Sequence, residues 1–461
     1  SPTALFFSRT VDGAALAALG VMLLLGCAAR FVDVRRPALV TWGGLALATA
    51  LTAGAGAYGL LLGLLLAIGG SLWLWREQAD WVASLLRPVW KSGLATTAVG
   101  VLALGTGLGL NPAGLLATGQ QLVVFAARFS APASPAGPSP LLLLLAYEPL
   151  ILLAGLAGLA LAIRRQDGLG ILCIFWTLAG LAQWFLLPGR EPADLLWALL
   201  PLALLSGLAA QELLHSLRQH GHLANEGLHL PISLVLWAHC GLSLTRYQQT
   251  GDQTNLFLAS LTVALQFFLT AAFGFAVSTP EPEEEPGQAV ARGVATALRA
   301  GGASLALVLL AVTFSTGWRL THQRAADPRE LLVREPTAIE VRALVQTIEH
   351  VSMLNGGTPS HIPVVLTEPD NPVLAWYLRQ FDLHGAERMD DPARLVVTTA
   401  GQTPPADYLS ATFALRRAWH PTWDRREAVR WWLYRKTTVP PTTIEQVVLW
   451  LHPTLATSDR P

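Results

Sequence analysis

Residues 141–163 read LLLLLAYEPLILLAGLAGLALAI. The stretch has one acid and no base. It is long enough to carry a helix through a bilayer core of roughly 30 Å, which takes about 20 apolar residues. It does not stand alone. Comparable runs lie at 13–29, 38–54, 57–75, 93–110, 169–187, 193–214, 229–245, 255–277 and 294–316. The 42–75 region is nearly continuous, and Gly54, Gly56 and Gly59 permit a tight turn between two helices there. The expected fold is an α-helical polytopic membrane bundle of about ten spans.

Composition divides the chain in two. Of its 461 residues, 52% are hydrophobic and 13% charged, with a mean hydropathy of +0.45. Soluble domains carry about 25% charged residues. Here 32 of the 62 Asp, Glu, Lys and Arg follow Gly317. Residues 1–317 therefore read as a membrane domain and 318–461 as a water-soluble one. The formal net charge is zero and no basic stripe is present, which argues against a nucleic-acid partner. Trp73, Trp75, Trp90 and Trp318 close apolar runs, where an indole suits the headgroup level. Cys27, Cys173 and Cys240 sit inside apolar runs, with neither a disulfide framework nor metal-ligand spacing. Small buried hydrophobes is the reading they support. Ser1 opens in mid-motif and a helix begins almost at once, so a further segment upstream is expected.

Arg and Lys placement orients the bundle. With the 30–37 loop inside, the inner segments hold ten basic residues, among them Arg30, Arg76, Lys91, Arg164 and Arg292. The outer segments hold Arg9, Arg128, Arg190 and Arg246. This asymmetry puts residues 1–12, the 111–140 loop, the 188–193 turn and the C-terminal domain outside. The acidic run from Glu281 to Glu285 falls in an inner, proline-rich loop. Residues 115–129 read as an amphipathic helix on the membrane, with Gln120, Gln121 and Arg128 facing water, or else as a packed loop.

After Gly317 the pattern changes. Helices are expected at 336–354 and 372–381, and strands at 362–368, 394–400 and 447–452. Alternating helices and strands imply a small α/β domain. Trp419, Trp423, Trp431 and Trp432 stand among arginines. They suit stacking on sugars, a seat against the membrane, or packing under snorkelling cations, with packing the commoner outcome.

Several stretches in the same order resemble the GT-C superfamily of membrane glycosyltransferases. The likeness is greatest to protein O-mannosyltransferase-like (glycosyltransferase family 39-like) proteins of the flippase-activity-associated branch. SPTALFFSRTVDGA (1–14) resembles that branch's Ser-Pro, Ser-Arg and Asp signature at a helix start. AYEPLILLAGLAGL (146–159) resembles its Tyr-Glu-Pro-Leu helix entry. PGREPADLLWALLPLALLSGLA (188–209) resembles its outer Lys-x-Pro-Trp turn and the helix after it. NPVLAWYLRQFD (371–382) resembles its Trp-Tyr-Leu-Arg element. The chain departs from the pattern in three places. The acidic motif of the first outer loop has no counterpart after Ser1. Ala-Gly-Ala-Gly (53–56) replaces the usual Lys-Glu. Arg190 and Ala193 stand where Lys and Trp are usual.

The resemblance implies transfer of a sugar from a polyprenyl-phosphate carrier to an acceptor outside the cytoplasm, at a bacterial inner membrane. It implies an acid that activates the acceptor or holds a divalent metal, placed upstream of Ser1. It implies cations on the leaving phosphate, for which Arg9 and Arg190 are the candidates, each an interfacial anchor otherwise. Asp12 would orient Arg9 or pair with it. A charge pair at the lip of a membrane helix is costly unless used, so an active site and a surface salt bridge both stay open. Glu148 either caps a helix or faces the cavity. The Trp376 and Arg379 element adds a substrate-binding candidate. His215, His220, His222 and His229 lack HExxH spacing and read as a solvated loop. Two other functions compete. One is a non-catalytic subunit of a membrane complex that keeps the fold, with membrane lipid and other subunits as its partners. The other is a transporter, against which the absence of repeats and of charged helix centres counts.

Overall fold

The computed structural model describes the chain except residues 11–12, 132–138, 221–222, 279–284, 335, 386–393, 401–406, 422–424 and 457–461. For 78–79, 219–220, 223–228, 425–426 and 429 it describes the backbone alone. The chain forms two compact units, Ser1–Gln323 and Arg324–Pro461.

The first unit is helical. Its elements are α1 (Pro2–Phe7), α2 (Ala14–Val34), α3 (Pro37–Ala53), α4 (Ala55–Leu74), α5 (Arg76–Leu86), α6 (Trp90–Gly105) and α7 (Ala113–Ala127). They continue with α8 (Pro140–Tyr147), α9 (Pro149–Arg165), α10 (Gly168–Leu186), α11 (Leu196–His220), α12 (Leu223–Thr250), α13 (Gln253–Val277) and α14 (Pro286–Trp318). A 3-10 turn, Pro192–Leu195, leads into α11, and a π-helical turn, Arg319–Gln323, follows α14. Among the described residues six helices are long and apolar enough to cross a membrane: α2, α4, α10, α11 with its entry turn, α13, and α14 with the turn after it. The α8–α9 pair makes a seventh if it counts as one span. This is the architecture of a polytopic membrane protein.

Three expectations change. The 141–163 run is not one helix, because α8 and α9 meet at 111° on either side of Glu148. Pro149 is the physical reason. Its ring disfavours helical geometry at the residue before it, and Glu148 sits at φ −128° and ψ 44°. The count of ten spans is not reached by length and apolarity. α3 and α6, at 17 and 16 residues, are shorter than a full crossing, and α12 is long but broken by polar side chains. The described residues of the 215–228 segment are helical, since α11 runs through His215 to His220 and α12 begins at Leu223. His229 is 3% exposed and packs on Phe273 of α13. The structure of His222 lies outside the described residues, as does most of the acidic run from Glu281 to Glu285.

Small residues bring the helices together. A Cβ on Gly158 of α9 would stand 1.8 Å from the Leu205 carbonyl oxygen of α11, and one on Gly155 would strike Leu202. Gly59 of α4 faces the Trp197 ring of α11, and Gly63 faces Trp176 and Gln183 of α10. Where two membrane helices gain nothing by hiding from lipid, such backbone approach supplies the attraction.

The second unit holds α15 (Glu340–Gly356), β1 (Val364–Leu366), α16 (Pro372–Tyr377), β2 (Leu383–Gly385), β3 (Leu395–Thr399), β4 (Leu409–Ala418), α17 (Arg425–Tyr434), β5 (Thr442–Leu451) and α18 (Pro453–Ala456). The sheet order is β2-β1-β3-β5-β4. β2 and β3 run parallel to β1, while β5 is antiparallel to both β3 and β4. Val341, Leu344 and Ile348 of α15 join Val364, Leu366 and Val397 in one core. Ile339, inside the helix expected at 336–354, instead precedes α15 and is exposed. The tryptophan-rich segment packs. Trp431 is buried, its indole N–H donates to the Arg329 carbonyl at 2.8 Å, and Arg435 lies 4.3 Å over its ring. Trp423 lies outside the described residues.

Gly158→Ala is expected to push α9 from α11, at a cost of about 1–3 kcal/mol. Gly69→Ala meets nothing within 4 Å and serves as the neutral control. Thermal unfolding of the two variants in detergent micelles measures the difference, and equal midpoints would contradict the tight α9–α11 contact.

Candidate functional site

One end of the helical unit gathers the start of α2, the end of α3, the start of α4, the end of α6, one face of α7 and the turn into α11. They enclose a cavity of about 790 Å³. Its polar lining is Thr49, Thr52, Thr118, Gln121, Glu191 and Asp194, set against Leu60 and Trp197.

Backbone approach makes this geometry. Gly54 joins α3 to α4 at φ +146°, which favours glycine. A Cβ on Gly13 would stand 1.5 Å from the Ala53 carbonyl oxygen, so the start of α2 rests directly on that turn. The Ala-Gly-Ala-Gly sequence at 53–56 thus shapes the cavity wall and contributes no charge to it. Trp197 closes the far side, its indole N–H donating to the Gly56 carbonyl at 2.9 Å.

α7 corrects the sequence reading. Gly114, Ala117, Thr118 and Gln121 recur at helical spacing and face the cavity. Leu116 and Val123 point outward, 69% and 67% exposed. The polar face of this helix is thus turned inward and its apolar face outward. Gln120 is exposed, but Arg128 is buried beside Asp194, and its guanidinium pairs with the Asp194 carboxylate. Arg128 also donates through Nε to the Gly189 carbonyl at 2.9 Å, and its own carbonyl accepts from the Gly189 N–H at 3.1 Å. Asp194 Oδ2 accepts from the Glu191 N–H at 2.8 Å, closing a reciprocal cap over the 3-10 turn.

The residues expected to carry function fall in three places. Arg190 stands between Gly189, which Arg128 holds, and the cavity-lining Glu191. It is half-buried, and its Nε is buried with no hydrogen-bond partner among the described residues. Arg9 is exposed and donates to the Thr321 carbonyl at 3.0 Å, satisfying a helix-end acceptor beyond α14. Glu148 is fully buried, and its Oε1 accepts from Ser1 Oγ at 2.6 Å and the Thr3 N–H at 2.7 Å. It therefore caps α1 rather than its own helix α9, and neither it nor Arg9 lines the cavity. Asp12 lies outside the described residues. Trp376 and Arg379 belong to the C-terminal unit. There the guanidinium lies 4.2 Å over a 64%-exposed indole and donates to the Trp376 carbonyl at 2.7 Å.

Sequence reasoning missed Glu191, Asp194 and the inward turn of Gln121 and Arg128. A signal was present. Glu191-Pro192-Ala193-Asp194 places acids three residues apart around a proline at a helix entry, the pattern of a reciprocal cap. The resemblance drew attention to Arg190 and Ala193 instead.

A divalent ion would need several oxygen ligands. Among the described residues no three His, Cys, Asp or Glu side chains come together, and the Arg128 guanidinium occupies Asp194. These residues do not fit a metal. The fold and the cavity together define a helical membrane protein with a polar, carboxylate-bearing chamber at one end of its bundle. Comparison with protein-family models, with curated proteins and with solved structures finds no match to this chain.

Removing one partner of a buried ion pair costs about 3–5 kcal/mol, because the other charge stays buried. Arg128→Ala is expected to lower the unfolding midpoint sharply. Arg128→Met with Asp194→Asn should recover most of the loss, since asparagine still accepts from the Glu191 N–H. Scanning calorimetry in micelles measures both, and a double variant as unstable as Arg128→Ala would count against the charge argument.

Proposed function

We propose that this chain is a membrane glycosyltransferase-like protein that handles a sugar carried on a polyprenyl phosphate. The observation that carries this reading is the chamber itself: two carboxylates, two threonines at the end of α3, and Thr118 with Gln121 on α7, beside an unpartnered Arg190 nitrogen. Hydroxyls, an amide and carboxylates are the groups that hydrogen-bond a polyol. The outward apolar face of α7 suits acyl chains, so a lipid-borne sugar can present its headgroup to the chamber while its tail stays in the bilayer. Glu191 is the candidate proton acceptor for an acceptor hydroxyl. Arg190 is the candidate cation for the leaving phosphate.

The proposal extends to topology. Counting α3, α6, α12 and the bent α8–α9 pair as crossings gives ten spans. The positive-inside bias then places the chamber and the C-terminal unit outside a bacterial inner membrane.

A second reading, a non-catalytic subunit of a membrane complex, draws on a specific observation. Asp194 is already committed to Arg128 and to the cap over its own turn, so this acid serves the fold. In that reading the chamber holds a lipid headgroup without turning it over.

Turnover of a polyprenyl-phosphate-linked sugar in proteoliposomes separates the two. The enzyme reading expects Glu191→Gln to lose at least roughly tenfold in kcat, and Arg190→Ala to raise KM. No turnover by the parent chain would favour the subunit reading, and unchanged kinetics in both variants would remove these residues from the chemistry.

Orientation is tested separately. Leu108 is 80% exposed in the turn after α6, at the chamber end. A cysteine placed there should react with a membrane-impermeant maleimide in intact cells. Labelling only after lysis would reverse the topology.

A further inference from the structure

The π-helical turn after α14 carries a cluster that the chamber does not use. The His322 ring stacks on Trp318, with centroids 4.1 Å apart and planes 14° from parallel. Its protonation pattern follows from its neighbours. Thr321 Oγ1 donates to the Gly317 carbonyl at 2.7 Å, so its own proton is spent. The 2.8 Å contact between Thr321 Oγ1 and His322 Nδ1 then needs the imidazole proton on Nδ1, which also faces the Trp318 carbonyl at 3.3 Å. Nε2 keeps its lone pair and faces Arg9 Nη1 at 3.5 Å. The neutral imidazole is thus an acceptor for the guanidinium, which is anchored by the Thr321 carbonyl.

A second proton changes that relation. It would sit on Nε2 and point at Nη1, setting two donors and two positive charges face to face. An oxyanion seated to one side of the pair, within hydrogen-bond reach of both nitrogens, accepts from both and offsets the repulsion. The elements packed on this turn are α1 and the end of α14. The charged side chains they and the turn bring are Arg9 and Arg319, and residues 1–10 and 302–323 contain no carboxylate. Arg9 and His322 are both exposed, so a ligand can reach them. π-helical turns occur disproportionately at functional sites.

We infer that Arg9 and His322 form a proton-linked site for a phosphodiester anion at the end of α14, the anion bridging the guanidinium and the imidazolium. Anion binding and protonation of the imidazole favour one another, as linkage requires. The choice of a phosphodiester rests on the lipid-phosphate reading above. The site rests on the geometry.

The test uses the full chain in detergent micelles. Its probe is radiolabelled farnesyl methyl phosphate, a diester whose single charge is constant over the range used. Histidine changes charge between about pH 5 and 8. The parent chain is expected to bind roughly tenfold more tightly at about pH 5.5 than at about pH 8. His322→Gln should bind weakly at both, His322→Lys tightly at both, and Arg9→Ala weakly at both. Competition by dimethyl phosphate as effective as by the lipid diester supports recognition of the phosphate alone. Competition by the lipid form only supports a membrane headgroup. A His322→Gln variant with the parent's pH profile, or an Arg9→Ala variant with the parent's affinity, would overturn the site. His322→Gln and His322→Lys change an exposed side chain, so the pair decides the matter even if Arg9→Ala disturbs α1. No sugar is present in this assay, so its failure and a failure of glycosyl transfer are told apart.

Discussion

The wall of the chamber formed by α7 is fastened where a buried arginine meets a buried aspartate. Arg128 ends α7, and Asp194 sits in the turn that starts α11. The two are far apart in sequence, and their ion pair ties α7 to that turn. The pair is reinforced through Gly189, to which Arg128 gives one hydrogen bond from its side chain and from which it accepts another at its backbone. A guanidinium can do this because its donors fan out in one plane, where a lysine would offer a single point charge. The same ring of contacts leaves Glu191 on the lining and Arg190, which precedes it and is not itself a lining residue, with a buried nitrogen unpaired. Structure and candidate chemistry are adjacent residues of one turn.

A second fastening holds the N-terminal segment. Glu148 is forced out of helical geometry by Pro149, which turns α9 away from α8 and frees the carboxylate for α1. At the other end of α1, Arg9 holds the carbonyl of Thr321 beyond α14. α1 is therefore strapped between the α8–α9 break and the end of the longest helix. Two residues that look like site residues in the sequence serve first as fastenings. Arg9 keeps donors to spare, because its described contacts use one nitrogen of the guanidinium, whereas Glu148 is closed off.

The sequence was informative about apolar length and poor about direction. Apolar runs announced the long helices, and charged residues gather after Gly317, while the second compact unit begins at Arg324. Three strands of that unit were legible as well, Val364–Leu366 and Leu395–Thr399 being short and β-branched, whereas β2 and β4 were not. What one sequence does not display is which face of a short helix turns inward. α7 has leucines and valines on one side and Gln121 with Thr118 on the other, and in water the polar side would be exposed. In an apolar solvent the preference inverts, and the polar side seeks the chamber. The same inversion buried Arg128. Partners far along the chain, such as Asp194 for Arg128 or Ser1 for Glu148, carry no local signature.

The polar side chains of α12 and α13 bear on the transporter reading. His229, Ser233, Gln266 and Thr270 form a ring within the helical unit. Ser233 Oγ and His229 Nδ1 are 3.3 Å apart, and His229 Nε2 and Thr270 Oγ1 are 3.2 Å apart. The Gln266 amide donates to Ser233 Oγ at 2.8 Å and to Thr270 Oγ1 at 3.3 Å. Thr270 spends its own proton on the Gln266 carbonyl at 3.0 Å, so the imidazole proton belongs on Nε2 and Ser233 donates to Nδ1. Every donor in the ring then has an acceptor within it or on the adjacent backbone. A path for a polar substrate needs groups left open to the passing solute, and here the donors are turned on one another across two helices. None of the four lines the chamber. Such rings are how helices pair in lipid, where hydrophobic burial between them offers no gain, and here Gln266 Oε1 stays buried without a described partner. Outside such rings lie the buried Arg190 nitrogen, which has no described partner, and the exposed face of Arg9.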